Sequence, residues 1–163
     1  MTRLFMAGSN FERMMQIIDE VFSTREDPDQ LQVDEKVIAR LQEMHPATLS
    51  EYNEGSGPCV WVLIIPTIKL LMEDFLSGKI SEQELFDKTK PGMKFDCIYL
   101  CSATVLPEYR RKGFAMKMTV DAVNAIKKDF PVEYLFVWPF SPEGKMLAER
   151  VGEICGMKVF FKD

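Results

Sequence analysis

The chain has 163 residues, 47% apolar and 28% charged, and a net charge of −5. A chain of this length is read as one domain, 1–163, able to bury roughly 70% of its unfolded surface without disulfide or metal staples. Its acidic balance argues against nucleic-acid or membrane-surface binding, while leaving room for a local anion site.

No sustained apolar core precedes the polar residues at the start, so no secretory signal is expected. The longest apolar run, "CVWVLIIP", is strand-sized, far short of the ~20 residues of a membrane span. The four cysteines, Cys59, Cys97, Cys101 and Cys155, form no C-x-x-C, and the single histidine, His45, lies outside any metal spacing. At ~3.3 Å per residue, Cys97 and Cys101 would stand about 13 Å apart on one strand face, too far to share a zinc. Buried, reduced thiols and a cytoplasmic location are the expectation.

In chain order, Phe11, Met14, Met15, Ile18 and Val21–Phe22 recur at helical spacing over 10–24, with Asn10 as the expected N-cap and Arg13 at the third helical position. "REDPDQ" breaks the chain. A second helix is read over 34–44 through Val37, Ile38, Leu41 and Met44, and "HP" at 45–46 stops it. "ATLSEYN" and "CVWVLIIP", joined by "NEGSGP", read as two antiparallel strands. Two helices are predicted within 67–92. Thr67 is the expected cap of the first, whose apolar face is Ile68, Leu71, Met72 and Phe75 and whose other face carries Lys69, Glu73 and Asp74. Ser81 with Glu84 forms a capping box for the second.

"DCIYLCSATV" and "YLFVW" at 134–138 are apolar on both faces, the pattern of strands buried in a strand–helix–strand crossover. The helix between them is read over about 114–128, with Ala115, Met118, Ala122, Val123 and Ile126 on one face. Pro142 opens a last helix through Met146, Leu147, Val151 and Ile154. Gly156 fits its C-terminal cap, and "MKVFF" is a final strand.

The stretch "VLPEYRRKGFA", 105–115, lies where a strand gives way to a helix. A helix N-terminus already carries unpaired N–H groups and partial positive charge. Arg110, Arg111 and Lys112 are unfavourable there unless an anion joins them. Gly113 permits positive φ and close approach, and Ala115 is small. Together these point to a pyrophosphate held by successive backbone amides with cations beside it. Taken alone, "RRK" reads as a solvated charged turn, and the strand before and helix after are what give it weight.

These residues resemble the acetyl-CoA signature of the GNAT N-acetyltransferases, V-x-P-x-x-(Q/R)-x-x-G-x-(G/A). Val105, Pro107, Arg110, Gly113 and Ala115 all fall on it. The element order is similar, and "L-A-x-x-x-G-x-x-x-G-M" places Gly156-Met157 where the family usually has Gly-Phe. The resemblance is specific over 96–157 and topological before that. It implies an α/β (α+β) GNAT-like acyl-CoA N-acyltransferase fold: a central mixed, mostly antiparallel sheet flanked by helices, splayed between 96–105 and 133–138. Residues 67–92 would be a two-helix insertion before the signature strand. It implies acetyl-CoA as cosubstrate in the splay. The pantetheine would pair with backbone at Ala103, Thr104 and Val105, and the pyrophosphate would take the amides of 111–116. Arg110, Arg111, Lys112, Gly113, Phe114, Ala115 and Met116 would complete that site. The implied activity is acetyl transfer to an amine of a small molecule or protein. The implied partners are acetyl-CoA and the amine, with no nucleic acid and no membrane; self-association is left open.

Acetyl transfer needs a neutral amine, a polarised thioester carbonyl and a proton for the leaving thiolate. A backbone N–H of 103–105 can serve the carbonyl. The tyrosine that often supplies the proton in the family falls at Gly152, and the asparagine seven residues earlier falls at Lys145, so both are missing. Tyr99, Ser141 and Cys155 are the candidate substitute acids. Glu51 and Glu54, on or beside the second strand, and Asp96 at the start of the signature strand are the candidate carboxylates for the amine. Each also reads as a structural or solvated group. Trp138 fits either the core or the wall of an acceptor pocket. A second reading, favoured by the missing tyrosine, is a non-catalytic acyl-CoA-binding sensor or interaction protein. The long connection over 67–92 points to an acceptor-side element, with simple cover for the sheet edge as the alternative.

Overall fold

A computed structural model describes residues 10–25, 31 and 33–163, with side chains for all of these except 21–25. The break expected over 26–30 and the side chains of Val21 and Phe22 lie outside the described residues. Among the described residues five strands form one sheet in the order β1 (Leu49–Glu54), β2 (Gly57–Thr67), β3 (Cys97–Val105), β4 (Tyr134–Val137) and β5 (Lys158–Phe161). The pairs β1–β2 and β2–β3 are antiparallel, and β3–β4 and β4–β5 are parallel. The sheet is thus mixed, with the antiparallel pairings the longer. The cause is that its last two connections are helical crossovers, which bring the chain back in the same direction.

Among the described residues six α-helices flank it: α1 (Asn10–Arg25), α2 (Glu35–Met44), α3 (Lys69–Leu76), α4 (Glu82–Lys88), α5 (Phe114–Asp129) and α6 (Pro142–Cys155). Asn10 does not cap α1. Its side-chain amide donates to the carbonyls of Glu54 at 2.7 Å and Gly57 at 3.1 Å, pinning the helix to the β1–β2 turn. Met14 is fully buried, while Phe11 and Met15 stay exposed. Asp34 caps α2 by accepting from the Val37 N–H at 2.9 Å. At its other end, His45 Nδ1 accepts the Ala47 N–H at 3.0 Å, so the ring proton sits on Nε2 and is donated to Asp129 at 2.6 Å.

Thr67 does not cap α3 either. It ends β2, and its hydroxyl pairs with that of Thr89 at 2.7 Å. With Ile68 at the N-cap, the helix takes its cap from elsewhere: Asp96 accepts the Lys69 N–H at 2.8 Å. The Ser81–Glu84 capping box of α4 is present, with both bonds at 3.0 Å. Ser141 caps α6, Pro142 occupies its first position, and Gly156 closes it at φ 66°.

Alternation along the strands sorts the helices onto two faces. On one face, Trp61 meets Phe11 of α1 edge-on at 6.0 Å. Ile65, four residues further along, lies opposite Tyr99, which meets Phe75 of α3 at 5.1 Å. On the other face, Tyr52 stacks on Phe114 of α5 at 4.8 Å. α6 packs beside α5. Tyr99, Phe75, Phe95 and Phe136 are among the largest fully buried side chains.

Candidate functional site

The parallel pairing of β3 and β4 is short. It runs from Cys97↔Tyr134 to Tyr99↔Phe136 and stops there. β3 continues to Val105, still paired with β2 up to Val60↔Val105. From Leu100 onward no strand lies on its β4 side among the described residues. At the parting, Leu63 faces Ser102 while Ile64 faces Leu100, so Cys101 is an extra, bulged residue. A bulge bends its strand and adds twist, which is the local reason β3 leaves β4. Ser102 and Ala103 are exposed, and Thr104 and Val105 are half-buried, at this open edge.

The turn from β3 into α5 follows at once. Arg110 Nε folds back to the Val105 carbonyl at 3.0 Å, so this guanidinium braces the turn. Arg111 adopts φ 62°, in the left-handed region that costs a non-glycine residue about 1–2 kcal/mol. Gly113 is the N-cap at φ 84°, ψ 3°, with no side-chain cap and no acid in the first turn. The first helical bond is Lys117 N–H to Gly113 O at 3.0 Å, which leaves the amides of Phe114, Ala115 and Met116 ahead of the ladder. Left-handed residues among right-handed ones gather amides into an anion-binding concavity. Arg111 and Lys112 are exposed beside it. Phe114 turns its ring away, onto Tyr52 and Tyr109. The residues expected to bind cofactor therefore lie in sequence along one open strand edge and one helix N-terminus.

No protein-family model, curated protein or solved structure matches the chain. What the site can do rests on its own geometry.

The candidate acids and bases scatter. Glu51 and Glu54 lie on β1; Glu51 accepts from the Trp61 indole at 2.7 Å and Glu54 from the Tyr52 hydroxyl at 2.7 Å. Asp96 is occupied as the cap of α3. Ser141 is occupied as the cap of α6, accepting from the Gly144 N–H at 3.0 Å. Cys155 is buried, and burial raises its thiol pKa, which makes it a weaker proton donor. Gly152 faces β5: a Cβ there would come within 2.3 Å of Val159 Cγ2 and 3.0 Å of the Met157 carbonyl. The large hollow beside it, about 510 Å³ along α6 and β5, touches neither β3 nor the α5 turn.

Tyr99 is the exception among the candidates, because it is the last residue of β3 paired with β4. Its hydroxyl donates at 2.5 Å to Glu82 Oε2, and the Leu31 N–H donates to Glu82 Oε1 at 2.6 Å. Glu82 is 3% exposed, and Cys101 Sγ lies 4.0 Å from its Oε2. A buried carboxylate thus stands beside the parting of the strands. The sequence does not single it out, since an acid in the first turn of a capped helix is explained by the helix dipole alone. Glu73 and Asp74, the acids expected to face an acceptor, do not line the cavity that Glu82 lines; Trp138 does.

Proposed function

We propose that the chain transfers an acetyl group from acetyl-CoA to an amine. The observation that carries this reading is the open edge of β3 running directly into an uncapped helix N-terminus with Arg111 and Gly113 in left-handed conformations. An extended pantetheine arm can add to the strand edge, as a peptide adds to a sheet, while the amides of 114–116 receive the pyrophosphate. A β3 amide near the bulge would polarise the thioester carbonyl. The proton lost by the attacking amine would pass to water and the leaving thiolate would take one back from water, since Gly152 has none to give and the Ser141 hydroxyl is held as a cap.

Acetyl-CoA stabilises the fold if it binds, by about 2.7 kcal/mol at a hundred times Kd. A melting scan with and without millimolar acetyl-CoA tests the cofactor site, and no shift in well-folded protein overturns it. Gly113→Val lowers the ligand-free melt, because φ 84° suits glycine, and removes the ligand shift measured against that lower melt.

The second reading, a non-catalytic acyl-CoA-binding protein, draws on Gly152 and on the scatter of the other candidate acids. Release of free thiol from acetyl-CoA across an amine panel separates the two. Binding without release, above the rate of spontaneous hydrolysis, selects the second.

A further inference from the structure

We propose that Arg13 is a positioning residue for the turn between β3 and α5: by engaging both carboxylate oxygens of Glu108, it keeps this acid from repelling a diphosphate and from capturing Lys112. The proposal rests on the reading of that turn as a diphosphate site and adds what sets its affinity. Glu108 is the one acid between Asp96 and Asp121 in the chain, and it directly precedes the cations that would meet the ligand. An uncompensated carboxylate there opposes an anion through like-charge repulsion. Local packing keeps Glu108 in place. It belongs to the 3₁₀ turn Pro107–Tyr109, where the Tyr109 N–H donates to the Leu106 carbonyl at 2.9 Å. The Tyr109 ring meets that of Phe114, the first residue of α5, at 5.9 Å. The backbone that carries Glu108 is therefore held against the start of the helix.

Arg13 supplies the compensation from another element. Its Nη1 donates to Glu108 Oε2 at 2.6 Å and its Nη2 to Oε1 at 2.5 Å, a fork that uses both oxygens. Arg111 and Lys112, by contrast, make no ion pair among the described residues. Lys112 nevertheless feels the acid. The Arg13 hydrogen bond is the main cause that holds the Glu108 carboxyl down to about 2, and the charge of Lys112 adds to it. With Arg13 removed, Lys112 is a cation on the same turn left to pair with Glu108, and it is then drawn from the ligand. The bridge itself does little for the fold, since its side chains are 33% and 50% exposed and water screens them. Its consequence lies in the charge of the turn. Arg13 and Glu108 cancel, Arg110 braces the Val105 carbonyl, and Arg111 and Lys112 remain as the surplus.

The test is calorimetric titration of the full chain with coenzyme A at low ionic strength. Arg13→Gln is expected to weaken binding by about fivefold, the scale of one exposed charge pair. Glu108→Gln is expected to tighten it, and the double variant to return to within about twofold of the parent, because both charges are then gone. Arg13→Lys keeps the charge without the fork and is expected to retain most of the affinity. Arg150→Gln breaks a comparable bridge, to Glu153 on α6 at 3.4 Å, and is expected to change nothing. If the bridge were only an anchor for α1, Arg13→Gln and Glu108→Gln would weaken binding alike and the double variant would not recover. That result overturns the proposal. So does an unchanged affinity in Arg13→Gln, or an equal loss in Arg150→Gln; in both cases the parent still binds and the cofactor reading stands. Should Arg13→Gln fail to fold, a Glu108→Gln affinity no tighter than the parent's overturns the proposal instead. No binding of coenzyme A by well-folded parent protein sinks the cofactor reading, and this inference with it.

Discussion

Arg13 of α1 and Glu108 of the turn after β3 meet through two parallel hydrogen bonds, Nη1 to Oε2 at 2.6 Å and Nη2 to Oε1 at 2.5 Å. The Arg13 hydrogen bond, helped by a backbone bond and by the charge of Lys112, holds the Glu108 carboxyl down to about 2, below its usual 4.5. A carboxyl depressed in the folded state gives stability that is present above its unfolded value. That stability is lost as pH falls from about 4.5 towards 2. Glu108→Gln should therefore show a shallower loss of melting temperature across this window than the parent chain. Both groups face solvent, so the difference should shrink in high salt. Melts from pH 5 to 2 at two salt concentrations check this; parallel acid limbs would contradict it.

Gly152 is fixed by space. Its missing Cβ would stand 2.3 Å from Val159 Cγ2 and 3.0 Å from a backbone carbonyl that cannot easily move. Gly152→Ala should cost about 1–3 kcal/mol through overpacking, read as a lower denaturant midpoint. Gly152→Tyr should not restore a proton donor; it should displace β5 and lower acetyl-CoA turnover and stability together. A stable Gly152→Tyr with raised turnover would refute this account.

Tyr99→Phe removes one donor from a buried carboxylate and keeps the ring contacts with Phe136 at 5.0 Å and Phe75 at 5.1 Å. The expected cost is about 1–3 kcal/mol. Because the lost bond is shared, the Tyr99→Phe and Glu82→Gln effects should be less than additive in the double variant. Strict additivity in urea melts would show that the two groups do not support each other.

Asp96 and Ser141 act as caps, so replacing them should affect stability rather than rate. Asp96→Ala and Ser141→Ala should each lower stability by about 1 kcal/mol. Thiol release from acetyl-CoA per folded molecule should stay unchanged. A hundredfold loss of turnover in either would instead make it a proton carrier.

The sequence by itself determined the elements and many of their ends. The Ser81–Glu84 box, the Pro142 start, the Gly156 stop and the left-handed Gly113 all appear where local pattern placed them. Each depends on residues within one turn of each other, so spacing alone suffices. The two-helix connection between β2 and β3 and the crossover through α5 were legible for the same reason. Only the tertiary structure decided how the ends meet. Asn10 serves the β1–β2 turn instead of its own helix, and Asp96 caps a helix 27 positions before it. Arg13 finds Glu108, and Glu82 turns inward to Tyr99 at the point where Cys101 bulges and the strands part. An asparagine, an aspartate or a glutamate carries the same local signal whether it faces water or a partner. Which one it meets depends on burial and on groups brought close only by packing, where a carboxylate without donors would be costly.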